Sequence, residues 1–140
     1  MALIADSGAI YGLHDRDDQH HHALRRFITQ QHEEILIPSA ILSEIDYLLH
    51  AKLGLGAELD FLDDIVAGVF TVEVFTSQDV ARSRELIKQY SGLDIGLADA
   101  AVIATAERLG VSRILTVDER HFRAVRGAGG KAFTLLPADA

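Results

Sequence analysis

Residues 93–118, LDIGLADAAVIATAERLGVSRILTVD, contain the pattern that decides the fold. Apolar residues at helical spacing predict a helix from about Leu97 to Leu109, which Gly110 ends. The apolar run Ile114–Val117 predicts a buried strand, and Asp118 follows that strand directly. A helix that leads into a fully apolar strand is typical of a parallel sheet covered by helices on both faces.

The same alternation of strands and helices extends along the whole chain. Further strands are predicted at Ala2–Ala5, Ile35–Pro38, Phe70–Phe75 and Ala132–Leu136. Further helices are predicted over residues 18–31, 41–53, 57–67, 77–90 and 119–125, whereas Ser7-Gly8 is predicted to form a turn. We therefore predict an α/β fold with a single domain over residues 1–140. It is a three-layer sandwich in which helices flank a central, mostly parallel sheet of about five strands.

Composition excludes several classes of protein. The 140 residues include no cysteine, which excludes a disulfide scaffold, a thiolate zinc site and a cysteine nucleophile. No apolar run approaches the roughly 18 residues of a membrane span, and Asp6 interrupts the first apolar segment too early for a signal peptide. We expect a soluble, cytoplasmic protein that does not associate with membranes.

The formal net charge of -8 disfavours indiscriminate binding to nucleic acid. The charge is unevenly distributed, because residues 1–79 contain 14 acidic and 4 basic side chains and residues 80–140 contain 7 and 9. Ten of the 13 basic residues are arginine, whose guanidinium suits forked contacts with phosphate. The arginines between residues 108 and 126 are thus either a contact surface for a nucleic-acid backbone or an ordinary solvated face.

Three aspartates occupy positions where chemistry is expected. Asp6 and Asp118 directly follow predicted strands, and ligands bind at the carboxyl ends of the strands in such sheets. Each of them also has the simpler interpretation of a helix N-cap. Asp99 lies, at about 100° per residue, in the middle of the face that its helix must bury. A carboxylate there is costly unless it caps a helix, pairs with a cation or binds a metal.

A fourth acid comes from the helix after Pro38-Ser39. Glu44 and Asp46 lie at opposite edges of its apolar face, and the helical wheel does not distinguish them. Carboxylates that converge on one sheet edge require a compensating charge. Oxygen ligands without cysteine suit a hard cation such as Mg²⁺ or Mn²⁺. A carboxylate cluster that holds such an ion is typical of enzymes that hydrolyse phosphodiesters.

Two other segments are given structural interpretations. His20-His21-His22 point about 100° apart on a helix and do not face one ion, so we interpret them as a solvated helix start. The segment Gly127–Lys131 lacks the ending of a phosphate-binding loop and precedes a strand, which indicates a flexible turn.

Four segments together carry a family resemblance over the full length of the chain. They are Leu3–Ala9, Pro38-Ser39 with Glu44 downstream, Leu93–Ala100, and Leu115–Asp118 with Phe122. In order and spacing they resemble the PIN-domain ribonucleases, most closely the VapC toxins of bacterial toxin–antitoxin systems. The resemblance implies that Asp6, Glu44, Asp99 and Asp118 are the catalytic, metal-binding acids, which favours Glu44 over Asp46. It also makes the Ser7 and Thr116 hydroxyls candidates for supporting these acids. Asp94 is extra relative to the family pattern; it either joins the site in some metal states or lies at its rim, and we favour the rim.

The resemblance further implies a magnesium-dependent endoribonuclease, with Mn²⁺ as a possible substitute. The implied substrate is structured RNA such as tRNA, and the implied partners are a VapB-type antitoxin and a second copy of the chain. The alternatives are a free-standing PIN nuclease in RNA processing and a catalytically silent module that binds a metal or a partner. A haloacid-dehalogenase phosphatase requires a second aspartate where this chain has Gly8, and a response-regulator receiver requires paired acids at its first strand.

Overall fold

A computed structural model describes residues 1–140, and its centre is a five-stranded sheet. The strands are β1 (Ala2–Ala5), β2 (Glu34–Pro38), β3 (Thr71–Glu73), β4 (Arg113–Leu115) and β5 (Thr134–Leu136). Their order across the sheet is β3-β2-β1-β4-β5, and every neighbouring pair is parallel. The predicted α/β architecture is confirmed, and the sheet is wholly rather than mostly parallel.

Seven helices flank this sheet. They are α1 (Ser7–His14), α2 (His21–Gln30), α3 (Leu42–Leu53), α4 (Leu55–Val66), α5 (Ser77–Gln89), α6 (Leu97–Leu109) and α7 (Glu119–Ala124). Helix α1 packs against α2 and α3, α3 packs against α4, and α5 packs against α6, which also contacts β1 and β2. None of the seven combines the length and the apolar composition that a membrane crossing requires.

The main departure from the predicted elements is at the first turn of the chain. Ser7 and Gly8 begin helix α1 instead of forming a turn. The Asp6 side chain caps this helix, so the chain passes from strand to helix without an intervening loop. Three of the predicted strands are also longer than those observed, β3, β4 and β5 having three residues each.

Specific contacts hold both the histidine segment at residues 20–22 and the turn at residues 127–131. The His21 imidazole Nδ1 donates to the Gly12 carbonyl oxygen at 2.8 Å, so it joins the start of α2 to α1 and is not merely solvated. In the turn after residue 126, a side chain at Gly127 would meet the ring of Phe133 at 2.8 Å. That turn therefore packs onto the core and leaves its glycine no room for a side chain.

The register of β1 and β4 positions the residues that follow them. Ala5 pairs with Leu115, and the Asp6 backbone N–H donates to the Leu115 carbonyl oxygen at 3.1 Å. Because the two strands are parallel, Asp6 and Thr116 emerge side by side at the carboxyl edge of the sheet. The core beneath them is fully buried and includes Leu3, Ile4 and Ile114. A rigid, apolar sheet thus holds the first residues of the candidate site.

Candidate metal centre

Asp6 is a buried carboxylate whose two oxygens have different partners. Oδ1 accepts the backbone N–H of Ala9 at 2.9 Å and so caps α1. Oδ2 accepts the Thr116 hydroxyl at 2.5 Å. Only 7% of the residue is exposed. The capping interpretation is thus correct for one oxygen, while the other faces the end of β4.

The surroundings of Asp6 oppose its ionisation. The pKa of Asp6 is raised from 3.8 to about 6, mainly by burial and also by the negative charges of Asp99 and Asp118, while the hydrogen bonds from Thr116 and Ala9 oppose the rise. A cation close to Asp6 would therefore favour its ionised form.

Asp118 follows β4 and is the N-cap of α7. Its Oδ1 accepts the backbone N–H of His121 at 3.0 Å, and its Oδ2 lies 2.9 Å from the His121 imidazole Nδ1. Its own backbone N–H donates to the Thr116 hydroxyl oxygen at 2.9 Å. The Thr116 hydroxyl therefore connects Asp6 to Asp118, as expected for a supporting group, whereas Ser7 makes no hydrogen bond to any of the acids.

Asp99 lies in the first turn of α6, and its side chain is 28% exposed. Its helix has Gly96 as N-cap and no side-chain cap hydrogen bond, so capping does not explain this aspartate. Burial raises the pKa of Asp99, and the negative charges of Asp118 and Glu44 raise it too, whereas His121 lowers it. Ala100 and Ala101 are fully buried beside it, which brings this part of α6 close to the sheet.

The structure separates the two acids that the helical wheel left equivalent. Glu44 is exposed in the first turn of α3, close enough to Asp99 to affect its ionisation. Asp46 instead shares a hydrogen bond with Glu58 of α4, which raises the pKa of Asp46 and lowers that of Glu58. Asp94 is exposed in the turn before α6 and makes no hydrogen bond to the four predicted acids.

The structure adds His121 to the predicted residues. Asp99, Asp118 and His121 each offer one ligand atom, and these atoms lie within 4.8 Å of one another. His121 Nδ1 lies 3.5 Å from Asp99 Oδ2. The sequence contained a signal for this residue in the spacing Asp118-x-x-His121, because residues three apart share one face of a helix.

This donor set fits a divalent cation. Asp6, Asp99 and Asp118 place three carboxylates at one sheet edge, and burial disfavours the charge on two of them. Carboxylate oxygens are preferred ligands of Mg²⁺ and Mn²⁺, and the imidazole adds a nitrogen. A bound cation would supply the positive charge that the cluster lacks.

The bridging hydroxyl predicts a measurable effect on stability. Thr116→Val keeps the shape of the side chain but removes the hydrogen bond to buried Asp6 and the acceptor for the Asp118 N–H. We expect the free energy of unfolding to fall by about 1–3 kcal/mol, because buried polar groups lose their partners. Urea denaturation measures the difference. Thr116→Ser, which keeps the hydroxyl, is the control, and an equal loss in both variants would contradict the role of the hydroxyl.

The arginines of the second half are mostly engaged within the protein. Arg108 binds Glu73 and Asp79, Arg113 binds Glu33, and Arg123 binds Glu119 and Asp139. Arg126 donates to backbone carbonyls of the α7 region. Four basic residues of this half are exposed and form no salt bridge: Arg84, Lys88, Arg120 and Lys131. The excess of basic residues in the sequence therefore overstates the free positive charge available to an RNA backbone.

Comparison with known proteins identifies the family. A model of the PIN domain matches residues 3–128. The chain belongs to the PIN-domain family. A relative that agrees with this assignment is Ribonuclease VapC26 of Mycobacterium tuberculosis, which is 30% identical over 135 residues, or 96% of this chain and 100% of the relative.

Solved structures share this PIN fold at low sequence identity. The sarcin-ricin loop cleaving toxin VapC20 of Mycobacterium tuberculosis matches with a TM-score of 0.76 and 18% identity, over 83% of this chain and 91% of that one. The DNA-bound VapBC of Salmonella typhimurium matches with a TM-score of 0.69 and 16% identity, over 96% and 98%. FitAcB of Neisseria gonorrhoeae matches with a TM-score of 0.64 and 19% identity, over 96% and 97%.

Proposed function

We propose that this PIN-domain chain is a metal-dependent endoribonuclease that acts as the toxin of a toxin–antitoxin pair. The observation that carries the proposal is the convergence of Asp6, Asp99 and Asp118 at the carboxyl edge of the sheet, with Glu44 nearby. The sequence identity of 30% with Ribonuclease VapC26, over 96% of this chain, supports the same activity.

The positions of the four acids indicate a different role for three of them than for the fourth. Asp6, Asp99 and Asp118 would hold the ion, and the Thr116 hydroxyl donates to one oxygen of Asp6 and so orients its carboxylate. Glu44, which is exposed at the start of α3, would hold or orient the ion and its attacking water. When bound, the divalent ion supplies a Lewis acid that polarises the phosphate and lowers the pKa of a water molecule. Hydrolysis proceeds by in-line attack of water, without a covalent intermediate.

The proposed ion is Mg²⁺, with Mn²⁺ as a substitute. The acids contribute carboxylate oxygens, which Mg²⁺ prefers. Two of these carboxylates, those of Asp6 and Asp99, are disfavoured in their charged form without a cation. Ion binding and ionisation of these groups therefore support each other, because a nearby cation lowers the pKa of a carboxyl.

The proposed substrate is a single-stranded or loop region of a structured RNA such as tRNA. The test is digestion of total RNA in Mg²⁺, followed by mapping of the new ends. Attack by water on the phosphate is expected to leave products without cyclic phosphates. Products that carry 2′,3′-cyclic phosphates would indicate attack by the ribose hydroxyl and would contradict the proposed mechanism.

The proposed partners are a cognate VapB-type antitoxin and a second copy of the chain. Helix α4 carries exposed apolar side chains on one stripe at positions i, i+4, i+7 and i+11: Leu55, Leu59, Leu62 and Val66. Such a stripe supports association with another protein chain. Co-expression with a small protein encoded immediately upstream is expected to give a stable complex that does not cleave RNA. Full cleavage by such a complex would contradict the antitoxin assignment.

A further inference from the structure

One nitrogen of His121 lies close to carboxylate oxygens of two different acids, although a hydrogen bond would need only one of them. Its Nδ1 is 2.9 Å from Asp118 Oδ2 and 3.5 Å from Asp99 Oδ2. The other histidines with ring contacts point elsewhere, His14 and His21 to backbone carbonyls and His50 to Glu58. Among the seven histidines of the chain, His121 is the one whose ring lies with two of the acids in a group able to hold a metal ion.

The separations of these atoms match a coordination sphere. Neighbouring ligands of an octahedral ion with bonds of about 2.1 Å lie roughly 3 Å apart. The distance of 2.9 Å from His121 Nδ1 to Asp118 Oδ2 matches this spacing, and the 3.5 Å to Asp99 Oδ2 is about half an ångström longer. We propose that His121 is a nitrogen ligand of the metal centre, which it completes together with Asp99 and Asp118. This inference rests on the proposed function, because it concerns the same centre.

The local fold keeps the imidazole in place. His121 is in the first turn of α7, where its backbone N–H binds Asp118 Oδ1. The next residue, Phe122, is fully buried and fixes the rotation of this short helix against the core. The His121 side chain is 22% exposed, so an ion can reach it from the same side as the acids.

A nitrogen ligand changes the choice of metal. Mg²⁺ takes oxygen ligands, whereas imidazole is a ligand of first-row transition ions. A centre with His121 therefore has a higher affinity for a transition ion such as Mn²⁺ than for Mg²⁺, while Mg²⁺ remains the ion proposed for the reaction. The variant His121→Gln offers an amide oxygen in place of the nitrogen, and it is expected to lose Mn²⁺ affinity on the order of tenfold while Mg²⁺ affinity changes less.

The test is electron spin-echo spectroscopy of the full chain loaded with Mn²⁺, which detects a nitrogen nucleus bonded to the ion. We expect ¹⁴N modulation in the wild type and in the matched control His32→Gln, whose exposed side chain lies away from the acids. We expect the modulation to disappear in His121→Gln while Mn²⁺ still binds. A histidine that only held Asp118 by a hydrogen bond would give no such signal from a directly bonded nitrogen.

The outcomes separate the inference from the proposed function. Mn²⁺ that binds the wild type without ¹⁴N modulation, or modulation that persists in His121→Gln, overturns the role of His121 and leaves the acidic centre in place. Failure of the wild type to bind either Mn²⁺ or Mg²⁺ overturns both. If His121→Gln does not fold, calorimetric titration of the wild type decides, because equal affinity for Mn²⁺ and Mg²⁺ also overturns the inference.

Discussion

Asp99→Asn is expected to lower the rate of RNA cleavage by about a thousandfold while the protein remains folded. The variant keeps the size of the side chain but removes one negative charge from the centre. A centre that holds its ion poorly loses the several kcal/mol of transition-state stabilisation that a bound ion supplies. Burial and the charges of Asp118 and Glu44 disfavour the ionised Asp99. Neutralisation should therefore leave stability unchanged or higher, and cleavage of labelled RNA together with a thermal melt measures both effects.

Asp94→Asn is the matched control for this variant. Asp94 is exposed, and its backbone has the left-handed conformation (φ 55°) that asparagine also tolerates. The control makes the same chemical change five residues away without touching the cluster, and it is expected to cleave RNA at the wild-type rate. Equal loss in both variants would contradict the assignment of Asp99 and would place the function elsewhere.

Asp6→Asn is expected to stabilise the metal-free protein, and to do so more at pH 8 than at pH 5. The pKa of Asp6 is about 6 in the folded protein, against an ordinary value of 3.8. Because this pKa is raised on folding, stability present at low pH is lost progressively as pH rises from about 3.8 to about 6, and little more is lost above that. The lost stability approaches about 3 kcal/mol at pH 8 and is roughly half of that at pH 5.

Urea denaturation in the presence of a chelator measures this effect. Asparagine does not titrate, so the stability gained by Asp6→Asn is expected to be about 1–2 kcal/mol larger at pH 8 than at pH 5. Asp94→Asn, as the control, is expected to retain the pH dependence of the wild type. If Asp6→Asn raised the free energy of unfolding equally at both pH values, the raised pKa of Asp6 in the folded protein would be contradicted.

The sequence predicted the parts of the site that depend on local periodicity. The helix predicted from Leu97 to Leu109 is α6. Asp99 lies on the face of α6 that packs towards the sheet, where its exposure is only 28%. Asp6 and Asp118 emerge at one edge because β1 and β4 are adjacent and parallel. Alternation of strands and helices sufficed for that inference, since parallel strands share their carboxyl edge.

The parts that the sequence did not predict depend on contacts between distant residues. The partners of Arg108 and Arg113 lie 35 and 80 residues away, so the loss of free positive charge was not visible along the chain. Asp6 and Asp118 were each treated as either a cap or a site residue. In the structure one oxygen of each residue caps a helix, and the other contacts Thr116 or His121. His121 is not predicted, because carboxylates are the groups expected at the strand ends and His121 lies three residues beyond Asp118, in α7.

The most direct test of the account is RNA cleavage by the wild type at controlled concentrations of free Mg²⁺ and Mn²⁺. The raised pKa values of Asp6 and Asp99 mean that a bound cation would favour their ionised forms. We therefore predict no cleavage in excess EDTA and recovery of cleavage over the same concentration range in which the ion binds. Cleavage that continues unchanged in excess EDTA would contradict the claim that these acids form a metal-dependent ribonuclease centre.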